Sequence, residues 1–225
     1  MAQDGAAAAG VLPGERREQA MRRGARALYL TAFASGAVLM GLQIAGSRIL
    51  APRFGTAIYV WGSLIGLTLV AMALGYWLGG KLADKKPRYP VLAAILIAAG
   101  LYVALVIFPL GTPICNAIAA AMPASPYAPL LAATAIFFVP CFLMAMTSPF
   151  TLRLLTTSLA GLGGVTGRLY AFSTFGSIFG TLVTTFALIP NVRVSLSLGV
   201  LGLVLVVACV AGLAMFKSAP DAQAA

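Results

Sequence analysis

The chain contains 225 residues, of which 61% are hydrophobic and 9% are charged, and its formal net charge is +10. Soluble globular domains carry about 25% charged residues, so the composition excludes an ordinary soluble domain. The basic residues flank long apolar segments instead of forming one patch, so the positive charge does not indicate a nucleic-acid partner.

Six apolar segments follow one another along the chain, and charged residues almost never interrupt them. Each is about 19–24 residues long, which is enough for a helix to cross the roughly 30 Å of hydrocarbon in a bilayer. Barrel strands are about ten residues long and alternate strictly, a pattern that these segments lack. They predict an all-α membrane protein with six transmembrane helices. The spans are Ala27–Ile49, Ile58–Gly80, Tyr89–Leu110, Pro129–Thr147, Leu169–Ile189 and Val194–Phe216.

The basic residues predict the orientation of these spans. If successive spans alternate in direction, Arg48, Arg53 and Arg193 fall on one side, and all other basic residues fall on the opposite side. The positive-inside rule places the more basic side in the cytoplasm. Both termini are therefore predicted to be cytoplasmic, with the chain in the inner (plasma) membrane.

Composition divides the chain into three parts: a disordered basic segment at 1–26, a six-helix transmembrane domain at 27–217 and a short cytoplasmic tail at 218–225. The uncharged, proline-containing segment 111–128 predicts an interfacial half-helix or re-entrant loop on the outer side. The segment 148–167 is rich in glycine, serine and threonine and predicts a flexible cytoplasmic hinge.

Side chains that perform catalysis or bind metals are scarce. The chain has no histidine, and the apolar body has no pair of carboxylates. Cys115, Cys141 and Cys209 show no C-x-x-C spacing, so we interpret them as small packing residues. The sequence predicts no metal and no cofactor, and it disfavours an enzyme that acts alone.

The segment from Gly80 to Arg88, GKLADKKPR, stands at the cytoplasmic end of the second span. It resembles the loop-2/3 signature of the major facilitator superfamily, with Pro87 where that family usually has glycine. The resemblance implies a conformational latch formed by Asp84, Lys85 and Arg88. The alternative is an ordinary basic loop in which Asp84 caps the next helix.

Three ordered blocks resemble the transmembrane domain of bacterial membrane-bound spermidine synthase-like proteins, the fused major-facilitator/spermidine synthases. The resemblance implies a six-helix bundle similar to one half of a major-facilitator fold. Fused members of the family carry a soluble aminopropyltransferase domain after the membrane part, whereas the only acidic residue after Asp84 here is Asp221. The blocks are GLQIAGSRILAPRFG (41–55), YVWGSLIG with LGYWLGGKLAD (59–66 and 74–84), and GRLYAFSTFGSIFGT with LIP (167–181 and 188–190).

Two functions are compatible with this resemblance. The first is a membrane subunit that anchors, or works with, a separate aminopropyltransferase-like enzyme. The second is a half-size, major-facilitator-like transporter that acts as a homodimer in the lipid bilayer. Because the membrane part lacks carboxylates, a transporter of this kind should favour a neutral, lipid-like or anionic solute over a polyamine.

The candidate binding residues are Gln43, Arg48, Tyr59, Trp61 and Tyr76. Gln43 lies inside the first span, at a position where the spermidine synthase-like family often has glutamate. Arg48 is the best candidate for an intramembrane charge, although it could also extend to the lipid headgroups. The three aromatic residues, together with Trp77, could form an aromatic belt at the membrane surface, or they could surround a cation.

The fifth span has a continuous face of small and polar residues. Ser173, Gly176, Ser177, Gly180, Thr181 and Thr184 recur at helical spacing. Small residues let two helix backbones approach closely, and hydroxyl groups can bond across the contact. We predict a helix-packing face here, with a dimer face or a polar path as alternatives. In the fourth span, a proline at 140 is expected to kink the helix.

Overall fold

The computed structural model describes residues 13–56, 58–156 and 161–217, and it contains six long helices and no β-strand within those ranges. All six helices are long and apolar enough to cross a membrane, which confirms the predicted six-helix, all-α architecture. The helices are α1 (Pro13–Phe54), α2 (Ile58–Lys85), α3 (Tyr89–Ala121), α4 (Ala128–Leu155), α5 (Leu162–Asn191) and α6 (Val194–Lys217).

The ends of the helices differ in places from the sequence prediction. Helix α1 begins at Pro13, within the segment 1–26 that the sequence predicts to be disordered. Residues 1–12, the predicted tail at 218–225 and the central part of the predicted hinge, 157–160, lie outside the described residues.

Helix α3 extends beyond its predicted end at Leu110 and continues to Ala121 in place of a re-entrant loop. The extension is stabilised by packing, because Gly111 and Cys115 are buried and Ile118 packs against the core. These three residues recur at i, i+4 and i+7, which is the spacing of one helix face. At 33 residues the helix is about 50 Å long, so it must tilt or project beyond a bilayer of ordinary thickness.

Prolines explain the irregular turns of α3 and α5. A π-helical turn occupies Val103–Ile107 in α3 and Thr184–Leu188 in α5. Each turn ends two residues before a proline, Pro109 and Pro190 respectively. In each case the residue after the turn donates its N–H to the carbonyl five residues earlier. This wider turn accommodates the missing proline N–H, so the helix continues.

Helix α4 consists of two parts, Ala128–Ala145 and Thr147–Leu155, separated at Met146. Pro149 explains the break, because it cannot donate a hydrogen bond to the carbonyl four residues earlier, and its ring crowds that carbonyl. Pro140, where the sequence predicts a kink, lies within the first part, which is helical on both sides of it.

The helices pack in a pattern that relates the first three to the last three. The most extensive contacts are α1–α5, α1–α6, α2–α4 and α3–α6. Exchanging α1 with α4, α2 with α5 and α3 with α6 converts α1–α5 into α2–α4 and leaves α3–α6 unchanged, whereas α3–α4, the counterpart of α1–α6, is a less extensive contact. Both members of the exchanged pair also use two glycines four residues apart: Gly75 and Gly79 of α2 lie against α4, and Gly176 and Gly180 of α5 lie against α1.

Three helices meet around Tyr89 at the end of the bundle that also contains Asp84, which we call the Asp84 end. Tyr89 is buried, and its hydroxyl lies 2.8 Å from the Thr31 hydroxyl of α1. Its ring stacks on Phe216 of α6 with 4.3 Å between the ring centroids. Gly212 leaves room for the tyrosine, since a Cβ atom there would overlap the Tyr89 hydroxyl. We call the opposite end of the bundle the Arg53 end.

Candidate functional site

Two cavities lie end to end along one face of α1, between α2 and α5. The first, of about 220 Å³, is lined by Gln43, and the second, of about 350 Å³, is lined by Arg48. Ile44, the residue after Gln43, lines the second cavity, so the two cavities are neighbours along α1, and we refer to them together as the cleft. Helices α2 and α5 form its walls and make at most marginal contact with each other in the described part of the chain.

The Gln43 cavity brings together two of the predicted binding residues, Gln43 and Tyr76, at a junction of α1, α2, α4 and α5. Its surface is mostly apolar, with hydroxyl groups contributed by all four helices, and its described lining contains no acidic or basic side chain. The other hydroxyl-bearing residues of the lining are Ser35, Thr147, Ser148, Tyr170, Ser173, Thr174 and Ser177.

The break in α4 places two of these hydroxyl groups in the cavity. The Thr147 hydroxyl donates to the Met144 carbonyl at 2.7 Å. The Ser35 hydroxyl of α1 lies 3.0 Å from the Thr147 hydroxyl. The Ser35 hydroxyl also donates to the Met144 carbonyl at 3.3 Å, so its single proton is shared between that carbonyl and the Thr147 oxygen. The next residue, Ser148, is hydrogen-bonded to the Tyr76 side chain of α2. The break thus links α4 to both α1 and α2 through polar contacts.

The Arg48 cavity contains two more predicted residues, Arg48 and Trp61. Arg48 is exposed and is the single charged residue of this lining. The neighbouring Ser47 hydroxyl donates to the Ile44 carbonyl of its own helix at 2.8 Å, so its proton is already engaged. The structure places Tyr59, the fifth predicted residue, outside the cleft, in cavities at the Arg53 end.

The acidic residue of the predicted latch is paired with a residue that sequence reasoning missed. Asp84 Oδ1 lies 3.4 Å from Nε of Arg153, which joins the end of α2 to the end of α4. Lys85 and Arg88 are exposed at the same end. Both partners of the ion pair are well exposed, so it contributes at most about 1 kcal/mol to stability.

The small residues of α5 lie directly against the backbone of α1. A Cβ atom at Gly176 would overlap the Phe33 carbonyl, and one at Gly180 would overlap the Ala37 carbonyl. Such positions accept only glycine unless the two helices separate. The two glycines are buried within the described bundle.

The polar members of the same face belong partly to the cleft. Ser173 and Ser177 line the Gln43 cavity, and the Ser177 hydroxyl is within 3.3 Å of the Gly36 carbonyl of α1. Thr181 donates to the Ser177 carbonyl at 2.8 Å. On this face the two glycines therefore pack against α1, whereas Ser173 and Ser177 line the cavity.

One further residue of the cleft was not predicted, and one member of the predicted polar face of α5 lies apart from the cleft. Tyr170 of α5 lines the Gln43 cavity near Tyr76. Thr184, at the start of the π-helical turn, is buried against Gly41, and its hydroxyl has no hydrogen-bond partner among the described residues. Pro190 was the available sequence signal for this turn, since proline disturbs the helical hydrogen bonds that precede it.

Comparisons of the chain with protein-family models, with curated proteins and with solved structures find no match. The described residues also contain no group of histidine, cysteine or acidic side chains that could hold a metal ion. The function is therefore inferred from the cleft itself and from the chemistry of its lining.

Proposed function

We propose that the chain is one half of a membrane carrier, with a cleft that binds a small neutral or anionic solute and a second copy that closes the open side. The observation that carries this proposal is the cleft between α2 and α5, which combines an amide, several hydroxyls and one arginine without any carboxylate.

The lining determines the class of solute. Asp84, the acidic residue whose side chain the structure describes, does not line the cleft; Asp4, Asp221 and the side chains of Glu15 and Glu18 lie outside the described residues. A polyamine would lose its hydration there without gaining an anionic partner, which is costly. The Gln43 amide can both donate and accept hydrogen bonds, and the Arg48 guanidinium can bind a carboxylate or phosphate through two parallel bonds.

The helix arrangement supports a carrier. Major-facilitator transporters are built from halves of six helices, each with two inverted three-helix repeats, and they bind solutes near the midplane. The exchange pattern of α1–α3 with α4–α6 is the packing expected of such repeats. We place the Asp84 end in the cytoplasm, where Asp84, Lys85 and Arg88, together with Arg153, act as the latch.

Transport by the purified chain in liposomes tests this proposal. Uptake of a panel of neutral and anionic solutes should exceed uptake of spermidine. Gln43→Ala and Tyr76→Phe should each reduce uptake at least about tenfold, the effect of losing one or two hydrogen bonds. Tyr102→Phe is the matched control, because Tyr102 packs against the core and does not line the cleft. Preferred uptake of spermidine, or equal loss in the control, would reject the proposal.

A second candidate function is a membrane subunit for a separate aminopropyltransferase-like enzyme. Besides the sequence resemblance, it is favoured by the charge of the Asp84 end, where Lys85, Lys86, Arg88 and Arg168 are exposed in addition to Asp84. Such a surface suits an acidic soluble partner. The chain alone should not transfer an aminopropyl group, and Lys85→Glu with Lys86→Glu should abolish co-purification of a partner enzyme. Transferase activity of the isolated chain would contradict this candidate.

A further inference from the structure

We infer that the Arg53 end of the bundle contains a binding site for one anionic phospholipid, outside the cleft. Two cavities adjoin there and share Tyr59 and Pro126. One, of about 410 Å³, is lined by Arg53 and Ser125 and suits a phosphate headgroup. The other, of about 500 Å³, is mostly apolar and suits an acyl chain.

The arginine is held in place by a neighbouring helix. Arg53 Nε donates to the Asn116 side-chain oxygen of α3 at 2.5 Å. This bond fixes the plane of the guanidinium at the end of α1. Both terminal nitrogens are left without a hydrogen bond or ion pair to the described residues, and they have the geometry that binds a phosphate.

Charge selects an anion at this site. Asp84, the acidic residue whose side chain the structure describes, lies at the opposite end of the bundle, so no described carboxylate neighbours Arg53. Arg48 shares the Arg53 end and adds positive charge. Arg53 is exposed, and its terminal nitrogens can bind an anion beside the apolar surface around Tyr59.

The apolar cavity distinguishes a lipid from a free phosphate ion. Ile58, Tyr59 and Tyr127 are 78%, 57% and 71% exposed, so large apolar side chains around this cavity are not covered by protein. Gly62 widens the cavity, since the space around a Cβ atom there is empty. An acyl chain would cover these side chains while its headgroup contacts Arg53, which a soluble anion cannot do.

The rim between the two cavities is a tight turn. Ala124, which lines the headgroup cavity, has a φ of 57°, in the left-handed region that alanine rarely adopts. Pro123 and Pro126 flank it and restrict the turn. The rim is therefore rigid before any lipid binds.

Lipid retention by the full-length purified chain tests the inference. The protein is exchanged into detergent with phosphatidylglycerol or phosphatidylcholine, and bound lipid is counted by native mass spectrometry. Arg53→Gln should lower phosphatidylglycerol retention by about tenfold, the loss expected for a charge-assisted hydrogen bond. Arg193→Gln is the matched control, because Arg193 is exposed at the same end and lines neither cavity.

Filling the apolar cavity is an independent test. Gly62→Leu should also reduce retention, whereas Gly66→Leu, one turn along the same helix and equally open, should not. Equal binding of phosphatidylcholine, or an equal loss with Arg193→Gln, would overturn the inference. The inference would also be overturned if inorganic phosphate displaced the lipid while Gly62→Leu had no effect on retention. That result would indicate a site for the headgroup alone. Solute uptake through the cleft should be unaffected by Gly62→Leu, so failure here is separable from failure of the carrier proposal.

Discussion

The contact between α2 and α4 should be sensitive to a single methyl group at Gly75. A Cβ atom at this position would lie 2.6 Å from the Phe142 carbonyl oxygen and 2.6 Å from the Ala145 Cβ. Ordinary contacts between carbon atoms are about 3.5–4.0 Å, so Gly75→Ala must separate the two helices by on the order of 1 Å. The nearest atoms belong to the α4 backbone and to the first atom of a side chain, which have no freedom to rotate away.

The cost follows from this overlap. Inserting a methyl group into a closely packed contact destabilises a protein by about 1–3 kcal/mol. Replacing glycine by alanine inside a helix also stabilises the helix by up to about 1 kcal/mol. The destabilisation at Gly75 must therefore be measured against a glycine-to-alanine control at a position without overlap. Gly80→Ala is that control, because the nearest atom to its Cβ would be Pro149 Cβ at an ordinary 3.9 Å.

Thermal unfolding in detergent measures the difference. Cys115, Cys141 and Cys209 are buried, so a thiol-reactive dye reports unfolding without added labels. Relative to Gly80→Ala, Gly75→Ala should lower the Tm by about 2–12 °C, given about 2–4 °C per kcal/mol for a chain of this size. If the two variants unfold at the same temperature, α2 and α4 are not in close contact and the packing pattern is wrong.

Three other predictions concern the latch, the second glycine pair and the cleft. Gly180→Ala should lower the Tm relative to Gly167→Ala, since Gly180 lies against the Ala37 carbonyl and Gly167 faces open space; equal values would indicate that this face of α5 does not pack on α1. Asp84→Asn should change the free energy of unfolding by less than about 1 kcal/mol, because the ion pair is exposed, yet it should alter the rate of solute uptake. Gln43→Glu should increase binding of cationic solutes measured by calorimetry, because it adds the carboxylate that the cleft lacks.

Sequence reasoning is sufficient for the number and type of the helices. The length and hydropathy of each apolar segment depend on local sequence alone, and all six segments are helical in the structure. The same reasoning fails where contacts between helices determine where a helix ends. Helix α3 continues to Ala121 because Gly111 and Cys115 are buried against other helices, which overrides the prolines.

The candidate site could be predicted only in part, because the local sequence does not determine which helices pack against each other. Gln43 and Tyr76 could each be identified as candidates, but their meeting in one cavity depends on how α1, α2, α4 and α5 pack. Tyr59 has a similar sequence context to Trp61 and lies in a different cavity. Arg153 was missed as the partner of Asp84 because the two residues are far apart in the chain.

A carrier requires that water reach the cleft between α2 and α5, and cysteine labelling at Thr174 can measure this. Thr174 lines the Gln43 cavity, whereas the adjacent Phe175 is 65% exposed and lies outside it. A charged, membrane-impermeant thiol reagent should label Thr174→Cys much faster than Phe175→Cys in liposomes treated on both faces, because thiolate forms only where water reaches the sulfur. The wild-type chain, with its three buried cysteines, provides the background. Slow labelling at both positions, or faster labelling of Phe175→Cys, would show that water does not reach the cleft.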